Sequence, residues 1–393
     1  MAGLTLIASA PLTAGSPRSE GTPEAQPDRA VLAQVVHDIC PKRVAMLGEA
    51  THGDGVTVAF KTALVRELID KCHFNAVFFE ASHYDFLEFS RRLRAGEPTT
   101  PEMIASAVGG LWKFDREFAP LVPYLFARAR AGRVALGGLD DQLGSAGAFF
   151  ANDAMPTELT GYLDEPRRGE CREILRKRIY YQFPNYAAPE HDQVASCLTG
   201  IDAALVQAGK DAETRLHREM IVSMTRMISR ELLAQDSYIQ QRDGSMYLNF
   251  RWLAAGLPAR SKIIVWGATA HMAKDVAADR HYDGAANLGS LIRRDYMQQS
   301  FALGFSALSG SYRYSRSQPD RALAIAPRGS LEDRALTDAG RDAVYRRKPW
   351  LKAIGTVPAR LLGDDFVTAA WQRALDGVVV FRQQRPPQRT DGP

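Results

Sequence analysis

The sequence lacks several features that would place it in a specialised class of protein. No apolar run approaches the length of a membrane span, and no basic run carries interleaved aromatic residues. The 49 basic and 45 acidic residues leave a net charge of only +4. These absences argue against a membrane or nucleic-acid partner. The N-terminal segment has neither a basic start nor a long apolar core, so it is a poor signal peptide, and a cytoplasmic protein is expected.

Cysteine is also scarce. The chain has four cysteines, and they form no CxxC pair. They are Cys40, Cys72, Cys171 and Cys197. Spacing of this kind suggests neither a zinc knuckle nor a disulfide scaffold, so we expect structural thiols in the core.

Three familiar catalytic signatures are missing. The absence of GxSxG disfavours a serine hydrolase of the α/β-hydrolase kind. HExxH is absent too, and the GExxH found instead lies in a turn, which does not match a zincin helix. Without a GxGxxG or P-loop sequence, the use of a nucleotide is not expected, and no cofactor is indicated.

What the chain does contain is an α/β pattern. Short β-rich apolar runs alternate with helical patterns, as in a parallel or mixed sheet flanked by helices. The candidate strands are 43–47, 75–80, 133–140, 262–267, 301–308 and 377–381. Helices are predicted over 56–72 and 114–130 from apolar residues at three- and four-residue spacing.

The same pattern suggests how the chain is organised. Residues 1–28 are rich in Pro, Ser, Thr and Gly and are predicted to be disordered, and the end of the chain from residue 382 resembles a frayed tail. Residues 29–150 and 256–385 are expected to form the α/β core. Between them, 151–255 lacks a convincing strand and is interpreted as a helical bundle inserted over the cleft.

Polar side chains follow four successive predicted strands. Glu49 and His52 follow the first strand, in "LGEATHGDG", and Glu80 ends the second. Asp140 closes the third, and His271 follows the fourth in "WGATAHMAK". Loops converge at the carboxyl ends of parallel strands, so these groups should meet at one edge of the sheet. The glycines of the first turn are expected to let the backbone turn sharply and to leave room for a substrate.

Each of these residues also has a structural interpretation. A single acid at a strand end is often a helix N-cap or the partner of an arginine, and His271 alone could be a hydrogen-bonded core histidine. His83 lies near the site but could face solvent. Acids and histidines together after four strands favour general acid–base catalysis, with a histidine near neutral pKa oriented by a carboxylate.

Six motifs, in order, resemble the erythromycin esterase family. They are "LGEATHG", "FFEAS", "GGLDDQ", "RDGSMYLN", "WGATAHMAK" and "NLGSLIRRDYMQQSFALGFS". The resemblance runs from about residue 30 to about residue 385. It implies an α/β core beneath a helical bundle, and metal-independent hydrolysis in which a histidine activates water against a lactone ester.

The resemblance also implies roles for individual residues. His52 takes the place of the general base, Glu49 completes the GExxH pair, and Glu80 matches the acid that ends the second strand. His271 matches the second histidine of an HNxH element. The candidate substrate-binding residues are Lys61, His83, Asp140 and Arg242.

Three positions depart from the family pattern. Ala268 and Thr269 replace the first histidine and the asparagine of HNxH, and Lys61 stands where the family commonly has an arginine. A lysine keeps the charge but loses the bidentate fork. These departures argue against macrolactone hydrolysis.

The function expected from the sequence is therefore a hydrolase of a small ester or lactone that uses His52, Glu49, Glu80 and His271. An acyl transferase or cyclase on the same scaffold would need the same base and remains an alternative. Two further alternatives are a binding protein that has lost its activity and a metal hydrolase with Glu and His ligands.

Overall fold

The computed structural model describes residues 27–145, 147–314, 318–337 and 340–390. All but the last two residues of the segment expected to be disordered, 1–28, lie outside the described residues. Among the described residues, no helix has both the length and the apolar character needed to cross a membrane.

An eight-stranded mixed sheet forms the centre of the molecule. Its strands are β1 Val44–Glu49, β2 Ala76–Ser82, β3 Ala135–Asp140, β4 Ile263–Ala268, β5 Ser300–Tyr312, β6 Arg321–Leu323, β7 Ala343–Arg347 and β10 Gly377–Gln384. Seven of them run in the order β3-β2-β4-β1-β5-β10-β7, and β6 pairs with the end of β5. The pairs among the first six are parallel, whereas β7 and β6 run antiparallel to their neighbours. A separate antiparallel pair consists of β8 Val357–Ala359 and β9 Val367–Ala369.

Helices cover both faces of the sheet because both faces are apolar. Successive residues of β1 alternate between two cores: Ala45 and Leu47 belong to one, Val44 and Met46 to the other. Burial on both sides explains why the central strands read as continuous apolar runs. The helices before β4 are α1 Arg29–Ile39, α2 Gly55–Cys72, α3 His83–Ala95, α4 Pro101–Val108, α5 Leu121–Arg130, α6 Ala154–Thr160, α7 Arg167–Ile179, α8 Ala188–Ala208, α9 Ala212–Arg230 and α10 Gln235–Ala255. Those after it are α11 Thr269–Met272, α12 Leu288–Tyr296, α13 Leu331–Ala335, α14 Lys348–Ile354 and α15 Trp371–Ala374.

The chain between β3 and β4 contains α6 to α10 and no strand among its described residues. A third hydrophobic cluster, which includes Leu198, Met220 and Met224, holds α7, α8 and α9 together. The helix α10 packs on both β3 and α9. The helical segment is therefore joined to the sheet through α10.

Two local expectations were wrong. The helix predicted over 114–130 begins only at Leu121, after a buried turn around Trp112. The chain end is not frayed up to residue 390: Gln384 lies in β10, and the segment beyond it hydrogen-bonds to the turn at 114–117. In this segment, the backbone N–H of Gln388 and the guanidinium of Arg385 both donate hydrogen bonds to the Glu117 carboxylate.

The expectation of free core thiols was also wrong. Cys40 and Cys72 form one disulfide, and Cys171 and Cys197 form another. Their Cα atoms lie 5.0 and 5.4 Å apart, within the usual span of a disulfide. The first joins the ends of α1 and α2, and the second joins α7 to α8. Helix packing brings these distant positions together, which sequence spacing alone does not reveal.

Candidate active site

The carboxyl ends of four neighbouring strands meet at one large cavity. Glu49 is the last residue of β1, Glu80 lies near the end of β2, and Asp140 ends β3. His271 follows β4 within α11. The cavity has a volume of about 560 Å³, and His52, Glu80, Asp140, Arg242 and His271 all line it. It therefore lies where an open parallel sheet normally binds its ligand.

His52 is held by a chain of buried charges. Its Nδ1 lies 2.9 Å from Glu49 Oε1, and the other oxygen of Glu49 accepts a short hydrogen bond from Lys61. The Lys61 ammonium also lies over the ring of Trp266, 4.2 Å from its centroid. With Nδ1 engaged by a carboxylate, the imidazole has a fixed orientation that leaves Nε2 on the cavity side.

Burial and neighbouring charges oppose each other at His52 and Lys61. Burial favours the neutral imidazole, but the hydrogen bond to Glu49 and the charges of Glu80 and Glu49 raise the pKa of His52 above its ordinary value. At Lys61, burial dominates over the attraction of Glu49 and lowers the pKa to about 8.

The glycines of the turn that carries His52 serve close packing against the protein. A Cβ at Gly53 would lie 1.6 Å from the carbonyl oxygen of Arg313. A Cβ at Gly48 would lie 2.6 Å from the Thr269 hydroxyl. Neither glycine has a positive φ. The expectation that these glycines leave space for a substrate is therefore wrong: at Gly48 and Gly53 the backbone approaches neighbouring segments of the protein where no side chain fits.

Glu80 lies at the centre of a cluster of hydrogen-bond donors. Its Oε2 accepts from the backbone N–H of Ala268 at 2.8 Å, and its Oε1 accepts from Arg242 Nη2 at 3.0 Å. His271 Nε2 lies 3.2 Å from the same Oε1, and His52 Nε2 lies 3.9 Å away. Burial would raise the pKa of this carboxyl, but His271, His52 and Arg242 hold it well below its ordinary value. Glu80 is therefore ionised.

His271 forms a second histidine–carboxylate pair. Its Nδ1 lies 3.0 Å from both oxygens of Asp243, which also accepts a hydrogen bond from the Tyr282 hydroxyl. Burial alone would lower the pKa of His271, but the charges of Asp243 and Glu80 raise it to about 10. The ring is consequently an imidazolium at neutral pH.

Arg242 connects the acids on the other side of the cavity. Its Nε and Nη2 donate to Asp140 at 3.2 and 2.7 Å. Its Nη1 approaches His271 Nε2 to 3.1 Å. A protonated His271 cannot accept from Arg242, so this guanidinium has an N–H available for an acceptor that enters the cavity.

Glu49 does not itself line the cavity, and neither do two of the residues predicted to bind the substrate. Lys61 is completely buried behind Glu49. His83 is also buried, and its Nδ1 lies 2.8 Å from the carbonyl oxygen of Gly138. Burial lowers the pKa of His83 to about 4, so this ring is neutral. Both residues contact protein groups and have no face toward the cavity.

Sequence reasoning missed three residues that support the site. Asp243 and Tyr282 position His271, and Trp112 packs edge-on against His52 with ring centroids 5.4 Å apart. Asp243 directly follows Arg242 in the "RDGSMYLN" motif, so that motif carried the available signal. Within the described ranges, no group of three or more His, Cys, Asp and Glu side chains is arranged to hold a metal ion.

Comparison with known proteins identifies the family of the chain. The family described as erythromycin esterase matches residues 69–384 of the sequence. The chain belongs to the erythromycin esterase family. Membership supports an esterase-like hydrolase, and the α/β architecture expected from the sequence is confirmed.

Three solved structures share the fold of this family member. A Bacillus cereus protein is 18% identical, with a TM-score of 0.68 over 91% of this chain and 93% of that one. A succinoglycan biosynthesis protein is 15% identical, with a TM-score of 0.69 over 91% and 92%. A mutant of the erythromycin esterase EreC in its open conformation is 14% identical, with a TM-score of 0.64 over 91% and 94%. At these identities the likeness concerns the fold alone.

Proposed function

We propose that the protein hydrolyses a carboxylic ester or lactone and that His52 takes a proton from the attacking water. The observation that carries this proposal is the environment of His52. Glu49 holds Nδ1, while Nε2 lies on the cavity side, 3.9 Å from Glu80 Oε1. That separation is too long for a hydrogen bond, so Nε2 is free to accept from a water.

Glu80 and His52 together suit the orientation of that water. A water between them could donate one hydrogen to Glu80 Oε1 and the other to His52 Nε2. The raised pKa of His52 makes it a stronger base, at the expense of being protonated more often at neutral pH. Activity should therefore rise as the pH increases through the pKa of His52.

Arg242 and His271 suit the stabilisation of the oxyanion. The available N–H of Arg242 Nη1 and the positive charge of His271 both face the cavity that holds His52. Preorganised donors in a water-poor site stabilise the charge that develops on a carbonyl oxygen without moving. In this scheme Asp140 and Asp243 are positioning residues, since they hold Arg242 and His271.

The proposed mechanism needs no metal and no cofactor, and its substrate is a small ester or lactone other than a macrolide. Ala268 lines the cavity beside Glu80 and presents only a methyl group there. It stands where the family's HNxH motif has its first histidine. The loss of one donor to an oxyanion lowers the rate by about 10²–10³-fold, which argues against efficient hydrolysis of a macrolide.

A separate proposal concerns the compartment in which the protein is located, and it rests on the disulfides. All four cysteines are paired in disulfides. Such bonds persist in oxidising compartments and are rare in the cytosol. The pairing thus weighs against the cytoplasmic location expected from the sequence and favours an oxidising compartment.

A substrate panel tests the proposed function. Purified protein would be dialysed against chelator and assayed on simple esters, lactones and activated acyl donors, with alcohols or amines as optional acceptors. His52→Gln should reduce turnover by about 10²–10⁴-fold. His37→Gln is the matched control, because His37 is an exposed histidine on α1. Transfer to the added acceptor in preference to water would indicate an acyl transferase, and equal turnover by His52→Gln would refute the proposal.

A further inference from the structure

The turn that carries His52 is held at its far end by a part of the chain that is distant in sequence. The helix α2 begins at Gly55, directly after this turn. The first N–H groups of a helix have no partner within the helix and need acceptors from elsewhere. Here the end of β10 supplies them. The carbonyl oxygen of Arg385 accepts from the Gly55 N–H at 2.8 Å. The side-chain Oε1 of Gln384 accepts from the Val56 N–H, also at 2.8 Å.

The residue that would ordinarily cap α2 is engaged elsewhere. Asp54 occupies the N-cap position, but its carboxylate accepts no hydrogen bond from the N–H groups of the helix. Its two oxygens instead accept from the backbone N–H and the hydroxyl of Thr51, at 3.0 and 2.8 Å. These bonds close the turn around His52, and Thr51 itself lines the active-site cavity. Gln384 therefore provides the cap that Asp54 does not.

Gln384 is itself held firmly in place. Its side chain is buried, and its Nε2 donates to the Thr57 hydroxyl at 2.9 Å, so both ends of the amide are used. Its backbone pairs with Gly310 of β5. Gly310 has a φ of +126°, and a Cβ there would lie 2.0 Å from the carbonyl oxygen of Gln384. The sheet thus fixes the backbone of Gln384, while the two hydrogen bonds fix its amide.

The chain beyond β10 also supports the aromatic neighbour of His52. The carbonyl oxygen of Gln388 accepts from the backbone N–H of Arg116 at 2.7 Å, in the turn that follows Trp112. Trp112 packs edge-on against His52. The end of the chain therefore contacts two segments that flank the His52 ring.

We propose that Gln384 is a positioning residue for the catalytic base, because its amide fixes the start of α2 and so keeps His52 in place against Glu49. Glu49 ends β1, whereas His52 lies between β1 and α2, so a movement of α2 relative to β1 would change their 2.9 Å contact. The inference rests on the proposed function for one point, that His52 is the base. A base must be held closely to its productive geometry, and misplacement by about 1 Å can cost about 10²-fold in rate.

Gln384→Met tests the inference, because methionine has a similar length but cannot accept from Val56. The hydrogen bond to Glu49 raises the pKa of His52 and burial lowers it, so a displaced ring should have a lower pKa. We expect kcat to fall by about 10–10²-fold with KM unchanged, and the acid limb of the pH–rate profile to move to lower pH. Gln383→Met, at the neighbouring exposed glutamine, is the matched control and should behave as the wild type.

NMR titration of the His52 ring measures the same displacement without any substrate. Gln384→Met changes no charge, so the ionisable groups around His52 are the same in both proteins. They are Glu49, Glu80, His271, Asp115, Arg313 and Arg389. A lower pKa of His52 in the variant therefore reports a change in the position of the ring.

A conservative variant should restore the function of the cap. In Gln384→Glu, a carboxylate oxygen can still accept from the Val56 N–H at the positive end of α2, and the Thr57 hydroxyl can donate to the other oxygen. We expect this variant to recover most of the kcat that Gln384→Met loses. Thr57→Val frees only the Nε2 end of the amide, so it should give the same changes at smaller size, and it serves as the test if Gln384→Met does not fold.

The outcomes separate positioning from stability and from the proposed function. A wild-type kcat and His52 titration in Gln384→Met, or in Thr57→Val if the first variant does not fold, would overturn the inference. A lower kcat with an unchanged His52 titration would indicate a structural role alone and would overturn it as well. If the His52 titration shifts as expected while His52→Gln keeps full turnover on the substrate panel, the proposed function fails and the positioning of His52 by Gln384 stands.

Discussion

Replacing Asp243 with asparagine should move the titration of His271 into the neutral range. Asp243 and Glu80 raise the pKa of His271 from 6.5 to about 10. That shift corresponds to about 5 kcal/mol of differential interaction, at about 1.4 kcal/mol per pKa unit. Asp243 is its largest favourable cause. Since an adjacent opposite charge typically shifts a pKa by about 1–3 units, Asp243→Asn should bring the pKa of His271 down to roughly 7–9.

The consequence for activity is a new alkaline limb. If the imidazolium of His271 stabilises the oxyanion, the wild-type rate should not fall through deprotonation of His271 until about pH 10. The Asp243→Asn variant should lose activity roughly one to three pH units earlier. Lys61, with a pKa near 8, titrates in both proteins, so the difference between the two pH–rate profiles isolates His271.

The contribution of the His271–Asp243 pair to stability should also depend on pH. A raised histidine pKa stabilises the fold fully below 6.5, and this contribution is lost as the pH rises through about 10. The difference in Tm between wild type and Asp243→Asn should therefore be largest below pH 6.5 and shrink toward pH 10. NMR titration of the His271 ring provides the direct measurement. Superimposable pH–rate profiles, together with an unchanged His271 titration, would refute this reasoning.

Three further predictions follow from other parts of the molecule. Lys61→Met should lower the free energy of unfolding by about 3–5 kcal/mol in chemical denaturation, because it leaves Glu49 buried without its cation. Lys61→Arg keeps the positive charge and should lose less stability. Equal stability of the wild type and both variants would contradict a buried Lys61–Glu49 ion pair. Thiol titration in denaturant should find no free thiol, and the double substitution Cys171→Ser/Cys197→Ser should cost about 3–4 kcal/mol for a closed loop of 26 residues. Four reactive thiols in freshly purified protein would show that the disulfides do not form. Expression in a sensitive bacterium should give no clear protection against erythromycin, and ring-opened drug in the medium would disprove the inference from Ala268.

The strands that form the site could be predicted because burial on both faces leaves a clear apolar pattern. All six predicted strands appear, within a few residues of the expected bounds apart from the longer β5 and β10. The remaining four were missed because they have only three to five residues each. Short strands carry too little apolar sequence to be distinguished from loops, and their pairing depends on neighbours distant in the chain.

The candidate site was predicted unevenly for a geometric reason. Glu49, Glu80 and Asp140 lie at the ends of strands, so the convergence of strand ends was enough to bring them together. His83 also follows a strand, but the first turn of α3 directs its ring toward Gly138, away from the cavity. Asp243 comes from the middle of α10, and only tertiary packing shows that it faces His271.

A single-turnover reaction in ¹⁸O-labelled water tests the central claim most directly. The substrate would be the best ester or lactone from the panel, and the protein would be treated with chelator beforehand. If His52 activates water for direct attack, one ¹⁸O enters the acid product in the first turnover, and His52→Gln slows that turnover by about 10²–10⁴-fold with its Tm unchanged. Unlabelled acid in the first turnover, or a His52→Gln rate equal to that of the wild type, would contradict the account.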